Sequence, residues 1–189
     1  MNFFKRPFVA VVLSALIVVC STLVSVNVKL ESRCSAVSDI FYEGVRISGE
    51  EYPAMAEPMK QLCALTDDII LIANNYGIDT GELSQRLDDL KLAMQYSADD
   101  VSYIGSCYWD YFNALRSVEN QLQSTGLSER HQTVMDEYSA QIETCSETIA
   151  QGAAGYDEKV RRFLKSFDKF PTSFWTEVTG TSLPGYFNA

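Results

Sequence analysis

Few residues of this chain are of the types that catalyse reactions or bind metals, and their spacing does not favour either role. His131 is the only histidine, and it lies among polar residues near the start of a predicted helix. There is no Glu-x-x-His pair, which argues against a di-iron bundle. The sequence also lacks Cys-x-x-Cys, a glycine-rich phosphate loop and Gly-x-Ser-x-Gly, the usual signatures of zinc, redox, nucleotide and hydrolase sites. We therefore expect a solvated His131 and no catalytic, cofactor-binding or metal-binding residues.

Acidic residues occur in adjacent pairs along the predicted helices. Among these pairs are Asp67-Asp68, Asp88-Asp89, Asp99-Asp100 and Asp136-Glu137. Neighbouring side chains on a helix point about 100° apart, so the two carboxylates of a pair do not converge on one ligand. Solvated helix surfaces explain these pairs, and weak binding of divalent cations is the alternative. The sequence thus favours a protein that is not an enzyme.

Charge is distributed unevenly along the 189 residues, a length that suits one domain and an anchor. The formal net charge is −10, but residues 34–155 carry 6 basic and 20 acidic residues, which gives −14. Residues 156–170 carry 5 basic and 3 acidic residues, which gives +2. Nucleic acid binding depends on neutralising phosphates, so an acidic body excludes nucleic acid as the partner.

An uncharged run of 21 residues, from Phe8 to Val28, is the clearest signal in the sequence. A helix of that length spans a bilayer. Lys5 and Arg6 precede the run, which predicts that residues 1–7 are cytoplasmic and that the rest of the chain is exported. We therefore expect a signal-anchor at residues 8–28 and a single-pass protein of the cell membrane.

Cleavage or lipidation of this N-terminal segment is the alternative. No small-x-small cleavage site follows the apolar run. Val19 stands before Cys20, where a lipoprotein signal requires a small residue. These features favour a retained anchor.

The remainder of the chain is predicted to be all-α, with no strand. We expect an antiparallel up-down helical bundle over residues 29–171 and an aromatic tail over 172–189, because short connections make consecutive helices antiparallel neighbours. The first helix continues the span to Ile47, and the second runs from Pro53 to about Tyr76. The third runs unbroken from Asp79 or Thr80 to Leu122. The fourth starts after Ser128 and stops at Pro171.

The predicted helix lengths indicate where the two ends of the bundle lie relative to the membrane. The third and fourth helices have about 44 and 42 residues, or about 65 Å each, whereas the first two extend roughly 30–37 Å outside the membrane. The end of the fourth helix should therefore lie near the bilayer. The turn at Gly126 should overhang the shorter helices as the tip of a two-helix hairpin.

Four cysteines lie outside the span, and an even number in an exported domain suggests disulfides. Cys107 and Cys145 are each 19 residues from Gly126, so they are level across the predicted hairpin. Cys34 and Cys63 lie at similar distances from the turn at residues 48–53. We predict the pairs Cys107–Cys145 and Cys34–Cys63, with buried free thiols as the alternative.

Two groups of side chains are candidates for binding. The first is a patch on the third helix, comprising Tyr103, Cys107, Tyr108, Trp109, Tyr111 and Phe112, of which Tyr108, Trp109, Tyr111 and Phe112 are the candidates for partner binding. Aromatic residues on successive turns have more surface than the contact between two helices can bury. Part of this set should therefore face a protein partner. The alternative is a wide core against the fourth helix.

The second group is the basic end of the fourth helix with the aromatic residues that follow it. Its members are Lys159, Arg161, Arg162, Lys165, Lys169, Phe174 and Trp175. Basic residues beside aromatic ones near a bilayer suit contact with lipid headgroups. The alternative is that the aromatic residues close the bundle while the basic residues are simply solvated.

The last helix carries a resemblance to the LemA-like family of bacterial envelope proteins. That family's helix reads Tyr-Asn, Val, Tyr-Asn, an aliphatic residue and Phe-Pro, at steps of three and four. This chain has Tyr156-Asp157, Val160, Phe163-Leu164, Phe167 and Phe170-Pro171 in the same register, and its tail Leu183-Pro184-Gly185-Tyr186-Phe187 is similar to the family's closing Pro-Tyr-Phe. Asp157 stands where the family has asparagine, and Gly185 is extra.

The resemblance implies a cytoplasmic N-terminus, one membrane anchor and an extracytoplasmic helical bundle without an accepted enzymatic activity. The sequence thus favours a scaffold or adaptor of the cell envelope that binds an unidentified envelope protein and lipid headgroups, and it leaves self-association open. The alternative is a sensor or small-ligand-binding domain. A cavity between helices lined by tyrosine and aspartate would favour that alternative.

Overall fold

The structure is a computed structural model that describes residues 7–167 and 177–188. Helices dominate it, which confirms the all-α class. The chain divides into two compact units. Unit 1 contains the chain up to Ala36 together with Phe163–Leu183, and unit 2 contains Val37–Arg162 and the residues from Pro184 onward.

Helix α1, Pro7–Ser38, has 32 residues and carries the apolar run. A window of 18 residues within Ala10–Glu43 has a mean hydropathy of 2.4 and is not buried. This helix is therefore long and apolar enough to span a membrane. Within unit 1, the hydroxyl of Thr181 donates a hydrogen bond of 3.1 Å to Oδ1 of Asn27 in α1.

A β-hairpin replaces the predicted end of the first helix. After the short helix α2, Ile40–Glu43, strands β1, Val45–Ile47, and β2, Glu50–Tyr52, pair antiparallel. The prediction of a helix to Ile47 and of no strand was therefore wrong. Ser48 and Gly49 form the loop with φ of 55° and 96°. Two consecutive positive φ values define the type I′ turn that fits the twist of a hairpin.

Four longer helices follow the hairpin and form most of unit 2. They are α3, Ala56–Asn75, α4, Gly81–Tyr96, α5, Val101–Ser124, and α6, Glu129–Phe167. Helix α4 packs against α3 and α5. Hydrogen bonds from Tyr138 to Asp68 and from Arg116 to Glu143 join α6 to α3 and α5.

The predicted third helix is in fact two helices. The break falls at residues 97–100, where the Asp100 side chain accepts a hydrogen bond of 3.0 Å from the backbone N–H of Tyr103 and so caps α5. The apolar periodicity continues across the break, and for that reason the pattern alone predicted one helix. Helix α5 has only 24 residues against 39 in α6, so the expected pair of equal helices is absent.

The turn at Gly126 does not overhang as predicted, because the end of α3 contacts the residues that follow it. Tyr76, at the end of α3, accepts a hydrogen bond of 3.0 Å from the backbone N–H of Ser128 and lies 2.8 Å from Nδ1 of His131. His131 is therefore half-buried and partnered, and its expected solvation was wrong. Hydrogen bonds with Ser128 also lower the pKa of Tyr76.

The core of unit 2 combines apolar packing with a few satisfied polar groups. The hydroxyl of Thr66 lies 2.5 Å from that of Tyr111, and both bond to the carbonyl oxygen of Leu62. Glu119, which is 3% exposed, pairs with Arg116 at 3.1 Å. Pairing these buried polar groups offsets the cost of taking them out of water.

Replacing Tyr76 with Phe should loosen the contact between α3 and the start of α6. The variant keeps the ring but leaves the Ser128 N–H and the His131 ring without their shared partner. We expect a melting temperature lower by a few degrees in circular dichroism of the detergent-solubilised chain. Tyr96→Phe is the matched control, because Tyr96 is 74% exposed. Equal melting temperatures for both variants would contradict the role given to Tyr76.

Candidate functional site

Residues Pro184–Asn188, which we call the closing segment, belong to unit 2 and are tied to α6 by one carboxylate. Oδ1 of Asp157 accepts a hydrogen bond of 2.7 Å from the backbone N–H of Phe187. Oδ2 of Asp157 accepts two from Asn188, at 3.3 Å from its backbone and at 2.9 Å from its side chain. A single side chain thus binds the closing segment through three N–H groups.

Phe187 anchors the closing segment in the core. Its side chain is 1% exposed, and its ring centroid lies 5.8 Å from that of Tyr108. A Cβ atom at Gly105 of α5 would lie 2.3 Å from the carbonyl oxygen of Phe187. Only glycine permits this approach of the two backbones. The role of Gly105 was not predicted, since a glycine inside an apolar helix pattern has no partner that can be read from the sequence.

The two residues of the Tyr156-Asp157 pair have different roles. Tyr156 is fully buried, its hydroxyl has no hydrogen-bond partner among the described residues, and burial raises its pKa. Asp157, one position on, faces the closing segment. The last helix and the tail, which carry the resemblance to the LemA-like family, are therefore in direct contact in unit 2.

The four aromatic candidates for partner binding on α5 do not share one surface. Tyr108 and Tyr111 are 1% and 0% exposed and belong to the core. Phe112 is half-buried, stacks on Tyr108 at 5.6 Å and lies beneath the guanidinium group of Arg116. Trp109 is 39% exposed. Of this set, Trp109 presents the most surface to a partner, and the wide-core alternative describes Tyr108 and Tyr111.

A different set of apolar side chains is more exposed, at the corner where α4 ends and α5 begins. Leu92, Tyr96 and Tyr103 are 52%, 74% and 50% exposed, and we call them the α4–α5 face. The hydrogen bond with the Cys107 thiol raises the pKa of Tyr103, and the nearby charges of Asp89 and Asp100 raise it further. The face is thus aromatic and surrounded by acidic groups.

The basic residues beside this face are already paired. Arg86 lies 3.5 Å from Asp110, which joins α4 to α5, and Lys91 lies 3.0 Å from Asp67 of α3. A groove of about 250 Å³ continues from the Arg86–Asp110 pair. Its lining is polar and includes no tyrosine, so it differs from the cavity of tyrosine and aspartate that a small-ligand sensor would favour.

The predicted disulfides are absent, since all five cysteines are free thiols. Cys107 lies near the charges of Asp89 and Arg86 on the α4 side of α5, and burial raises its pKa. Cys145 is buried in α6, where burial also raises its pKa. The spacing from Gly126 gave the level of the two residues along the hairpin but not the side of the helix on which each lies.

The second predicted pair, Cys34–Cys63, is likewise not linked in the structure. Cys63 is 4% exposed in α3, and burial raises its pKa to about 12. Cys34 lies in α1 and is half-buried. The free-thiol alternative therefore describes Cys63 and Cys145, and it removes covalent bridges as a source of stability.

The basic end of α6 is partly neutralised. Arg161 and Arg162 both pair with Glu158, whose pKa is lowered by its hydrogen bonds, first with Arg162 and then with Arg161. Lys159 is half-buried and Lys165 is exposed, and neither has an ion pair within the described residues. The remaining lipid-contact candidates, Lys169, Phe174 and Trp175, lie outside the described residues.

The acidic pairs are dispersed. In the part of the chain that the structure describes, no group of three His, Cys, Asp or Glu side chains is placed to hold a metal ion. Asp68 instead accepts a hydrogen bond of 3.2 Å from Tyr138, and Asp100 caps α5. Members of two of the pairs thus have structural roles.

Comparison with protein-family models, with curated proteins and with solved structures finds no match to this chain. The function is therefore inferred from the geometry of the chain itself. That geometry includes an exposed aromatic face beside acidic groups.

Replacing Asp157 with Ala should release the closing segment, because three N–H groups lose their shared acceptor. We expect carboxypeptidase to release Asn188 and Phe187 about tenfold faster from this variant than from the parent chain, since local opening sets the rate of cleavage. Gly105→Ala should have the same effect by steric exclusion.

Asp136→Ala is the control for this experiment, because it removes an exposed carboxylate from the same helix. Its cleavage should match that of the parent. If Asp157→Ala also matched the parent, the carboxylate would not hold the segment.

Proposed function

We propose that the chain is a membrane-anchored, non-enzymatic helical-bundle scaffold or adaptor of the bacterial cell envelope. The observation that carries the proposal is the exposure of Leu92, Tyr96 and Tyr103 where α4 ends and α5 begins. Large apolar side chains clustered at one surface of a soluble unit mark sites where another protein packs. An adaptor requires such a surface, an attachment point and no assembled catalytic centre.

The attachment point is helix α1, which has the length and hydropathy of a membrane span. Lys5 and Arg6 before the span favour a cytoplasmic N-terminus, with the helical units outside the cytoplasm. The resemblance of the last helix and tail to the LemA-like family supports the same orientation. The free thiols do not bear on it, because exported domains need not contain disulfides.

Photocrosslinking in cells tests the adaptor function. A photoreactive amino acid placed at Tyr96 or at Tyr103 of the full chain should crosslink to an envelope protein, because both side chains are exposed on the α4–α5 face. The matched control places the same group at Gln123, which is exposed near the far end of α5. Crosslinks of equal yield from all three positions, or from none, would contradict an adaptor that binds through this face.

The orientation is tested in the same cells. A membrane-impermeant maleimide added to spheroplasts should label Ser128→Cys above the level of the parent chain and should not label Asn2→Cys. Ser128 is exposed, so its labelling reports the compartment and not burial. Labelling of Asn2→Cys alone would show the opposite orientation.

We further propose that the basic end of α6 contacts lipid headgroups. Lys159 and Lys165 support this, because no carboxylate among the described residues pairs with them. Anionic lipids attract such residues within a Debye length of the surface, at about 1 kcal/mol per basic residue. Arg161 and Arg162 contribute less, since Glu158 already neutralises part of their charge.

Quenching of tryptophan by brominated lipid tests this contact. The chain has two tryptophans, so Trp109→Phe leaves Trp175 as the only reporter in nanodiscs. We expect stronger quenching of Trp175 in anionic than in zwitterionic lipid, and a smaller difference after Lys159→Gln with Lys165→Gln. Lys60→Gln is the control, because Lys60 pairs with Glu57 in α3. Quenching that is independent of lipid charge would remove the headgroup role.

A further inference from the structure

We infer that the α4–α5 face binds an amphipathic helix of a partner protein, one that carries Lys or Arg on both sides of an apolar stripe. The inference rests on the proposed adaptor function and specifies the chemistry of its partner. Three features of the described residues support it: the exposed apolar side chains, the unpaired acidic groups around them, and the shape that two neighbouring helices create.

The apolar side chains are placed to contact one ligand. Leu92 and Tyr96 are four residues apart on α4, so they lie on the same side of that helix. Tyr103 lies in the first turn of the neighbouring helix α5. Its hydroxyl is close enough to α4 for the charge of Asp89 to raise its pKa. All three are at least half-exposed, so a ligand that covered them would remove a large apolar area from water.

The charges around the face predict a cationic ligand. Residues 81–110 contain six acidic and two basic residues. The two basic residues, Arg86 and Lys91, already pair with Asp110 and Asp67. Within the described part of the chain, no ion pair involves Asp88, Asp89, Asp99 or Asp100. Lys and Arg of a partner would therefore meet uncompensated carboxylates beside the apolar side chains.

The shape of the face fits a helix better than an extended strand. Helices α4 and α5 pack together and are joined by the short connection at residues 97–100. Two adjacent helices form a groove that accepts the ridge of a third helix. Recognition of an amphipathic helix in such a groove uses apolar anchors at steps of three and four residues. An extended peptide binds by pairing with a free strand edge, and the helices α4 and α5 do not present one.

Other occupants fit less well. An anionic bilayer surface would be repelled by Asp88, Asp89 and Asp99. The densest group of basic residues that a second copy of this chain could bring is its own helix end, at Lys159–Lys165. The apolar stripe of that end is already used, because Tyr156 and Val160 are both 0% exposed within unit 2. A helix from another protein is therefore the occupant that the charges and the burial favour.

Photocrosslinking to synthetic peptides tests the inference. The full chain, reconstituted in zwitterionic nanodiscs, carries a photoreactive amino acid at Tyr96. The probe is a fluorescent 18-residue helical peptide of Leu and Lys, and the comparison peptide has Glu in place of every Lys. We expect concentration-dependent crosslinking to the Lys peptide only, with no crosslink from the same group placed at Gln123.

Variants of the face separate specific docking from general attraction to an acidic protein. Leu92→Ser with Tyr103→Ser should raise the half-saturating peptide concentration about tenfold. Asp88→Asn with Asp89→Asn should raise it about threefold or more, and added salt should have the same effect. The control Asp136→Asn with Glu137→Gln makes the same change in charge on α6 and should leave the concentration unchanged. Circular dichroism establishes that each variant is folded, which the exposure of the altered residues favours.

Several results would overturn the inference. Equal crosslinking of the Glu peptide, or an equal loss with the α6 control, would show that the face does not select a cationic helix. A homodimer that dissociates in the Leu92 and Tyr103 variant, measured by sedimentation, would make a second copy the occupant. If neither peptide crosslinks while cellular crosslinks from Tyr103 persist, the adaptor function stands and the chemistry inferred for the partner is wrong.

Discussion

The carboxylate of Asp157 is the constraint on which the organisation of unit 2 depends. It accepts hydrogen bonds from three N–H groups of the closing segment. These bonds hold the closing segment against α6 within unit 2. Phe187 then fills a place in the core beside Tyr108, and Gly105 makes room for its backbone. An ionised acceptor forms stronger hydrogen bonds than a neutral amide oxygen, which suits a task shared among three donors.

This contact gives the aromatic residues of α5 distinct roles. Tyr108 and Tyr111 face the core, where Phe187 and Thr66 meet them. Tyr103 of α5 remains exposed instead, as do Leu92 and Tyr96 of α4, beside aspartates that form no ion pair among the described residues. The proposed partner surface is therefore distinct from the place where the closing segment binds. Binding at the α4–α5 face need not disturb the attachment of the C-terminus.

Errors in the sequence analysis have a common cause, which is that side-chain contacts override periodicity at short connections. Asp100 interrupts an apolar rhythm that is continuous from Leu83 to Leu122, because its carboxylate caps a new helix. Ser48 and Gly49 were recognised as a break, yet the hairpin that they close depends on a backbone pairing that no alternation in the sequence signals. His131 was predicted to be solvated, and only the approach of Tyr76 explains its partial burial.

The sequence by itself determined the apolar span, the helical class, the end of the second helix near Tyr76, the turn at Gly126, the start of α6 after Ser128 and the acidic charge of the body. These features depend on composition and on contacts between residues close in the sequence, so they can be predicted from periodicity and from capping rules. Only the tertiary structure decided that the third helix divides, that the cysteines are free thiols, and that Asp157, Gly105 and Phe187 meet. Those contacts join residues up to 82 positions apart along the chain, and the side of a helix on which such partners converge is set by packing.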